Sequence, residues 1–181
     1  IADYGVLACT NEAATVSRVI VTGANITSTQ SVRFRIGGIV GRMTGIGGVI
    51  EDCQVIDSII NKNNSYVGGI VGYSDTDVDY VIRRCTVANT TLTGKWTGGI
   101  LAQSENTISS GATCVISIED CFVGGEITGG TYAGGMVGFT GHSNDNESNL
   151  SIVRCRNEAS VRTTSSSSGA GGLVGYIYRG K

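Results

Sequence analysis

Tyr66-Val67-Gly68-Gly69-Ile70-Val71-Gly72-Tyr73 decides the reading of this chain, because the phrase recurs. It returns as Arg35-Ile36-Gly37-Gly38-Ile39-Val40-Gly41 and as Trp96-Thr97-Gly98-Gly99-Ile100-Leu101-Ala102. Two more copies are Tyr132-Ala133-Gly134-Gly135-Met136-Val137-Gly138-Phe139 and Gly169-Ala170-Gly171-Gly172-Leu173-Val174-Gly175-Tyr176. The five stand 31, 30, 36 and 37 residues apart. Recurrence at this period marks a stacked array, in which one repeat cannot bury its own apolar side and its neighbours do so.

A second phrase, Ile-x-x-Cys-x-Val, alternates with the first. Its copies centre on Ile50 and Cys53, Ile82 and Cys85, Ile118 and Cys121, and Ile152 and Cys155, with Val6 and Cys9 read as the opening copy. A third apolar position follows each Cys by six or seven residues, at Val16, Ile59, Leu92, Ile127 and Val161. The runs are short, β-branched and separated by turn residues, which argues strand over helix. The predicted fold is all-β: a single-stranded parallel β-helix (β-solenoid) of about five turns, 30–37 residues each. Equivalent residues should stack at the interstrand spacing of about 4.8 Å. The predicted core ladders are Ile39, Ile70, Ile100, Met136 and Leu173; Ile50, Ile82, Ile118 and Ile152; and Cys9, Cys53, Cys85, Cys121 and Cys155.

Ile and Cys are three apart, so a straight strand would send them to opposite faces. An exposed corner between them, at Glu51-Asp52, Arg83-Arg84, Glu119-Asp120 and Val153-Arg154, brings both inside. The repeated glycines are expected to supply positive φ and close backbone approach. Residues 1–181 read as one domain, with an insertion at about 16–33 and loops at about 103–113 and 140–149.

Composition narrows the function. Gly is 28 of 181 residues and Pro is absent, which suits strands joined by repeated tight turns and fits neither collagen nor a linker. The net charge of −2 with no basic run argues against a nucleic-acid partner. No apolar run approaches the roughly 18 residues of a membrane helix.

The Gly-Gly-(Ile/Leu/Met)-Val-Gly phrase, preceded by an aromatic residue and alternating with Ile-x-x-Cys-x-Val, resembles the GLUG-motif repeat. Tyr66–Tyr73, Tyr132–Phe139 and Gly171–Tyr176 fit best; Ala102 replaces the last Gly of one copy, and Arg35–Arg42 lacks both aromatics. The resemblance covers nearly the whole chain outside about residues 16–33. It implies parallel β-helix modules in large secreted or surface-attached proteins, including non-catalytic stretches of immunoglobulin-A-cleaving metallopeptidases. It brings no catalytic residue, and so implies scaffold, display or adhesion.

The candidate chemistry is sparse. Five of the six Cys share one repeat position, where a free thiol serves as a small buried hydrophobe. Cys114 lies off that ladder, and a Cys114–Cys121 bridge is the alternative. Asp75, Asp77 and Asp79 place carboxylates at alternate positions, as Ca²⁺ loops do, but Thr86 stands where such a loop needs its twelfth-position Glu. His142 is the only His and sits in a polar loop, without the motif of a triad or a zinc protease. No cofactor is expected. Tyr66, Trp96 and Tyr132 share one repeat position and could stack against an extended glycan or simply against one another. Asn25, Asn63, Asn89, Asn146 and Asn149 each open an Asn-x-Ser/Thr sequon.

These features predict a non-enzymatic extracellular or cell-surface repeat with a structural or adhesive role. The alternative is a carbohydrate-binding or carbohydrate-cleaving β-helix, such as a polysaccharide lyase or glycoside hydrolase. The chain begins inside one repeat and stops inside another. Two expectations follow: a segment of a longer array, or subunits stacking head to tail into a filament.

Overall fold

The computed structural model describes residues 1–12, 14–45, 47–76, 79–105, 115–141 and 149–178. Its elements are strands, with no helix among the described residues. Every strand pairing is parallel. The chain is a β-solenoid with three sheets running along its length.

One circuit shows the construction. Tyr66–Gly68 belongs to the widest sheet; the chain bends at Gly69-Ile70 into Val71–Thr76 of the second sheet and passes to Tyr80–Arg83 of the third. It turns at Arg84 and re-enters the widest sheet as Thr86–Gly98, which brings Trp96 beside Tyr66. The same position steps from Asp3 to Arg35, Arg35 to Tyr66, Tyr66 to Trp96, Trp96 to Tyr132 and Tyr132 to Gly169, so the described residues make five circuits.

The lumen is a set of apolar ladders. Successive backbone bonds join Ile39 to Ile70, Ile70 to Ile100, Ile100 to Met136 and Met136 to Leu173. Ile39, Ile70, Ile100 and Met136 are fully buried, whereas Leu173, on the outermost described turn, is 46% exposed. Ile50, Ile82 and Ile118 stack in register and are fully buried, with Ile152 half-buried below them. The third column is Ile26, Ile60, Leu92, Ile127 and Val161. Ile60 therefore takes the inward place that spacing assigned to Ile59, which is exposed.

The first turn corrects the sequence reading. Thr15–Ser17 pairs with residues 49–51, Ile20–Thr22 with 54–56 and Asn25–Thr27 with 59–61. Residues 15–27 are thus an ordinary part of the coil, and no insertion begins at about 16. Val16 stands in the Ile50 column, and Val19 takes the Cys place: its carbonyl accepts from Gln54 N (2.8 Å) as that of Cys53 accepts from Thr86 N (2.9 Å). Cys9 is not a member of the Cys ladder. Its backbone lies between the pairs Ala8–Val40 and Thr10–Arg42, in the position of Gly41. Gly5 pairs with Gly37, so residues 5–9 are a sixth Gly phrase that has kept only its first Gly.

The glycines also differ from expectation. The Gly-Gly pairs are absent from the positive-φ residues. They are required for closeness alone: a Cβ on Gly69 would lie 2.1 Å from the Gly99 carbonyl oxygen and 2.7 Å from Val87 Cγ2. Left-handed backbone falls instead on the charged corner, at Arg18, Asp52, Arg84, Asp120 and Arg154, with φ between 51° and 57°. Each costs roughly 1–2 kcal/mol relative to ordinary backbone. Two devices offset it. The thiol after the corner donates to the carbonyl two residues back: Cys53 to Glu51 (3.2 Å), Cys85 to Arg83 (3.4 Å) and Cys121 to Glu119 (3.2 Å). A second corner repeats this with hydroxyls, Ser58 to Ile56 and Thr90 to Ala88 (both 2.8 Å), after left-handed Asp57 and Asn89.

The other device is charge. Arg84 Nε donates to Asp52 Oδ1 at 2.7 Å and Arg154 Nε to Asp120 Oδ1 at 2.6 Å, so the corner column alternates in sign from turn to turn. Hydrogen bonds from Arg84 and Arg154 hold the Asp52 and Asp120 carboxyls below their usual range, and Arg83 does the same for Glu51. A depressed folded-state pKa gives stability that is complete above the unfolded value and lost as pH falls through the folded one. The ordinary values are 3.8 for Asp and 4.5 for Glu, so this contribution should fade below pH 4.5. Melting temperatures from about pH 6 to about pH 2 should show a steeper acid decline for the native chain than for Arg84→Gln. Equal slopes would mean that the corner pairs add nothing.

Candidate functional site: an aromatic slot

Two outward columns meet at the Gly-Gly bend. The first runs Asp3, Arg35, Tyr66, Trp96, Tyr132. The second runs Arg42, Tyr73, Gln103, Phe139, Tyr176. They touch across the bend, Tyr66 to Tyr73 at 5.3 Å between ring centroids and Tyr132 to Phe139 at 5.6 Å. Along the stack Tyr66 lies flat on Trp96 (4.7 Å, 11°), and Tyr132 on Tyr176 (4.6 Å, 20°). Tyr66, Tyr73 and Trp96 form an apolar cluster separate from the lumen core.

The ring stack breaks at one place, for two reasons. Gln103 occupies a position held by rings in Tyr73, Phe139 and Tyr176. In addition, Gly94 pairs with Gly129 but Trp96 with Tyr132, so Lys95 opposes both Gly130 and Thr131 and the register slips. The result is a slot of about 490 Å³ between Trp96 with Tyr66 on one side and Tyr132 with Phe139 on the other. Gln103 and Glu105 also line it, and Arg33 and Lys95 stand over the Trp96 ring at 5.1 and 4.3 Å from its centroid.

The polar lining is ordered. Glu105 accepts from the Tyr73 hydroxyl and from Gln103 Nε2. Burial, reinforced by the Glu105 bond, raises the Tyr73 pKa, so Tyr73 remains a donor. A carboxylate can only accept, which fixes the Gln103 amide with its nitrogen toward Glu105. Gln103 Oε1 is left buried and without a partner. Arg33 Nη1 donates to the Tyr66 hydroxyl at 3.3 Å. Such a slot can hold a ring between aromatic faces while charged and amide groups meet its substituents.

The other sequence candidates lie elsewhere. Asp75 is paired with Arg42, whose Nε donates to it at 3.0 Å, and Asp79 accepts from Val115 N at 2.7 Å. They serve different partners, and no group of metal-binding residues occurs among the described residues. Asp77, Cys114, His142 and Asn146 lie outside the described residues. Asn25, Asn63 and Asn89 are exposed, and Asn149 is half-buried. Cys53, Cys85 and Cys121 are buried free thiols, and Cys155 is half-buried. Tyr66, Trp96 and Tyr132 were legible as one column, but its partner column was not. The available signal was Gln103, which breaks the run of aromatics that Tyr73, Phe139 and Tyr176 place after the Gly-Gly-x-x-Gly pattern.

Comparison with known proteins gives one family match. The GLUG motif matches residues 63–97, a span that covers one circuit from Tyr66 to Trp96. No curated protein and no solved structure matches the chain.

The thiols allow a direct check of the inward assignment. Hydrogen bonds with Cys121 and Cys53, together with burial, raise the Cys85 pKa and keep it protonated. A thiol that is both buried and protonated is inert. Maleimide labelling of the native protein with peptide mapping should modify Cys155 before Cys53, Cys85 and Cys121, which should react only on unfolding. Labelling of Cys85 as fast as Cys155 would show that the column is open to solvent.

Proposed function

We propose, for a β-solenoid that carries the GLUG motif, the role of an extracellular adhesive module that holds a glycan in its aromatic slot and does not cleave it. The observation that carries this reading is the interruption at Gln103, which turns a self-satisfied ring stack into a slot between two aromatic walls. Sugar rings offer apolar C–H faces to aromatic planes and hydroxyls to amide and charged groups, and the lining supplies both. Hydrolysis of a glycosidic bond ordinarily needs two carboxyl groups about 5–9.5 Å apart. Glu105 is the one carboxylate in the described lining, and Tyr73 and Gln103 already engage it. The exposed sequon residues Asn25, Asn63 and Asn89 support placement outside the cell. No helix of the described residues is long and apolar enough to cross a membrane.

A second reading concerns the ends of the stack. The outer turns leave Leu7 (52%), Leu173 (46%) and Ile177 (55%) exposed, along strand edges that a further turn would cover. That turn would come from neighbouring repeats of a longer chain or from a second copy stacked head to tail, the route to a filament.

Trp96 is the only Trp and lies in the slot, so its emission reports slot occupancy directly. Titration with a polysaccharide panel should quench or shift that emission, and Trp96→Ala should weaken retention in affinity electrophoresis by about tenfold or more. Absence of binding across the panel, or new reducing ends or unsaturated sugars in the mixture, would overturn the role. Sedimentation velocity over a concentration series tests the stacking reading: growing species are expected, and a constant 18.7 kDa monomer would end it for this chain alone.

A further inference from the structure

We propose that the sugar held in the slot is acidic: the ligand is a uronic-acid polysaccharide whose ring carboxylate is met by Arg33 and Lys95. The inference rests on the glycan reading above and goes on to name the class of sugar.

It starts from how the chain treats its arginines. Nine lie among the described residues, at 18, 33, 35, 42, 83, 84, 154, 156 and 162. Seven of them form an ion pair with a carboxylate: Arg35, Arg42, Arg83, Arg84, Arg154, Arg156 and Arg162. Arg18 stands in the field of Asp52, at the start of the corner column. Arg33 alone has no such company among the described residues, although it is half-buried and its Nε has no acceptor. Its described partners are neutral: the Tyr66 hydroxyl and the faces of Tyr66 and Trp96. The Lys95 ammonium likewise has no carboxylate partner among the described residues and stands over the Trp96 ring. A partly desolvated guanidinium without a counter-charge is costly, and an incoming anion relieves that cost.

The remaining charges at the slot do not cancel this pair. Glu105 is the only carboxylate in the described lining, and its oxygens are already taken by Tyr73 and Gln103. Among the described residues two cations therefore line the opening against one anion that is turned to its own donors. Both line the slot and lie within 5.1 Å of the Trp96 ring centroid, so a carboxylate on a sugar ring bound there falls within their reach. A uronate brings one negative charge per sugar, which two cations can match. A densely sulfated chain would bring more charge than this slot has cations to meet.

The test uses oligogalacturonate and oligomannuronate of about six sugars, each beside its carboxyl-reduced counterpart, read by Trp96 emission. The expected result is binding of an oligouronate at least about tenfold tighter than its neutral counterpart, weakening as salt is raised. Arg33→Gln and Lys95→Gln should each reduce that preference, and Arg33→Lys should restore part of it. Thermal melts of all variants separate loss of recognition from loss of fold. Equal binding of acidic and neutral oligomers, or an acidic preference unchanged in Arg33→Gln/Lys95→Gln, would overturn the inference while leaving the glycan reading in place. Failure of every oligomer and of the wider polysaccharide panel would remove both.

Discussion

The closeness of backbone to backbone at each Gly-Gly bend is the constraint from which the rest of the molecule follows. Gly69 faces the Gly99 carbonyl on the next turn and Val87 across the lumen with no space for a methyl group. The bend is tight enough that side chains leaving it outward on either side touch. Tyr66 finds Tyr73, and Tyr132 finds Phe139, for that reason. The same bend sends Ile39, Ile70, Ile100 and Met136 into the lumen, where each rests on the next. Core and slot are thus two sides of one turn. A residue that widened the bend would loosen the ladder and part the rings together.

Much of this architecture was legible in the sequence because a solenoid repeats its physical problem on every turn. The Gly phrases, the Ile column and the charged corner recur at positions that map directly onto stacked strands. Reading failed where one residue type was trusted over spacing. Cys9 looked like a ladder member because four other Cys are, yet Val16-x-x-Val19 carries the same three-residue spacing as Ile50-x-x-Cys53 and packs in its place. The corner was found, but its left-handed backbone was assigned to glycines elsewhere. Nothing in composition says that Arg84 and Arg154 will accept that backbone; their carboxylate partners one turn away explain it. The slot was half legible. One aromatic column could be seen in the repeat, but the facing of Tyr73 and Gln103 across the bend depends on an angle that no spacing reveals.

The cysteines illustrate how a residue chosen for one property meets a second need. Each buried thiol fills a small apolar place in the column and also returns a hydrogen to the carbonyl before the corner. Ser58 and Thr90 perform that second task at the other corner, where the hydroxyl is sheltered in the same manner. Shelter matters for where such a protein can work. A thiol shut inside a stack of coils is out of reach of oxidants in solution, so these cysteines do not tie the chain to a reducing compartment.

The corner column carries a consequence of parity. Its members read Arg18, Asp52, Arg84, Asp120, Arg154, while the neighbouring column reads Glu51, Arg83, Glu119 in the same phase. An alternating series has a repeat of two turns even though the backbone has a repeat of one. Deleting or duplicating a single interior coil would leave every ladder of Ile and Gly intact and yet set Arg against Arg, or Asp against Asp, at the splice. Removing or adding coils in twos would not. The unit by which such a solenoid can lengthen or shorten smoothly is therefore a pair of turns, a grammar written in charge on top of one written in shape.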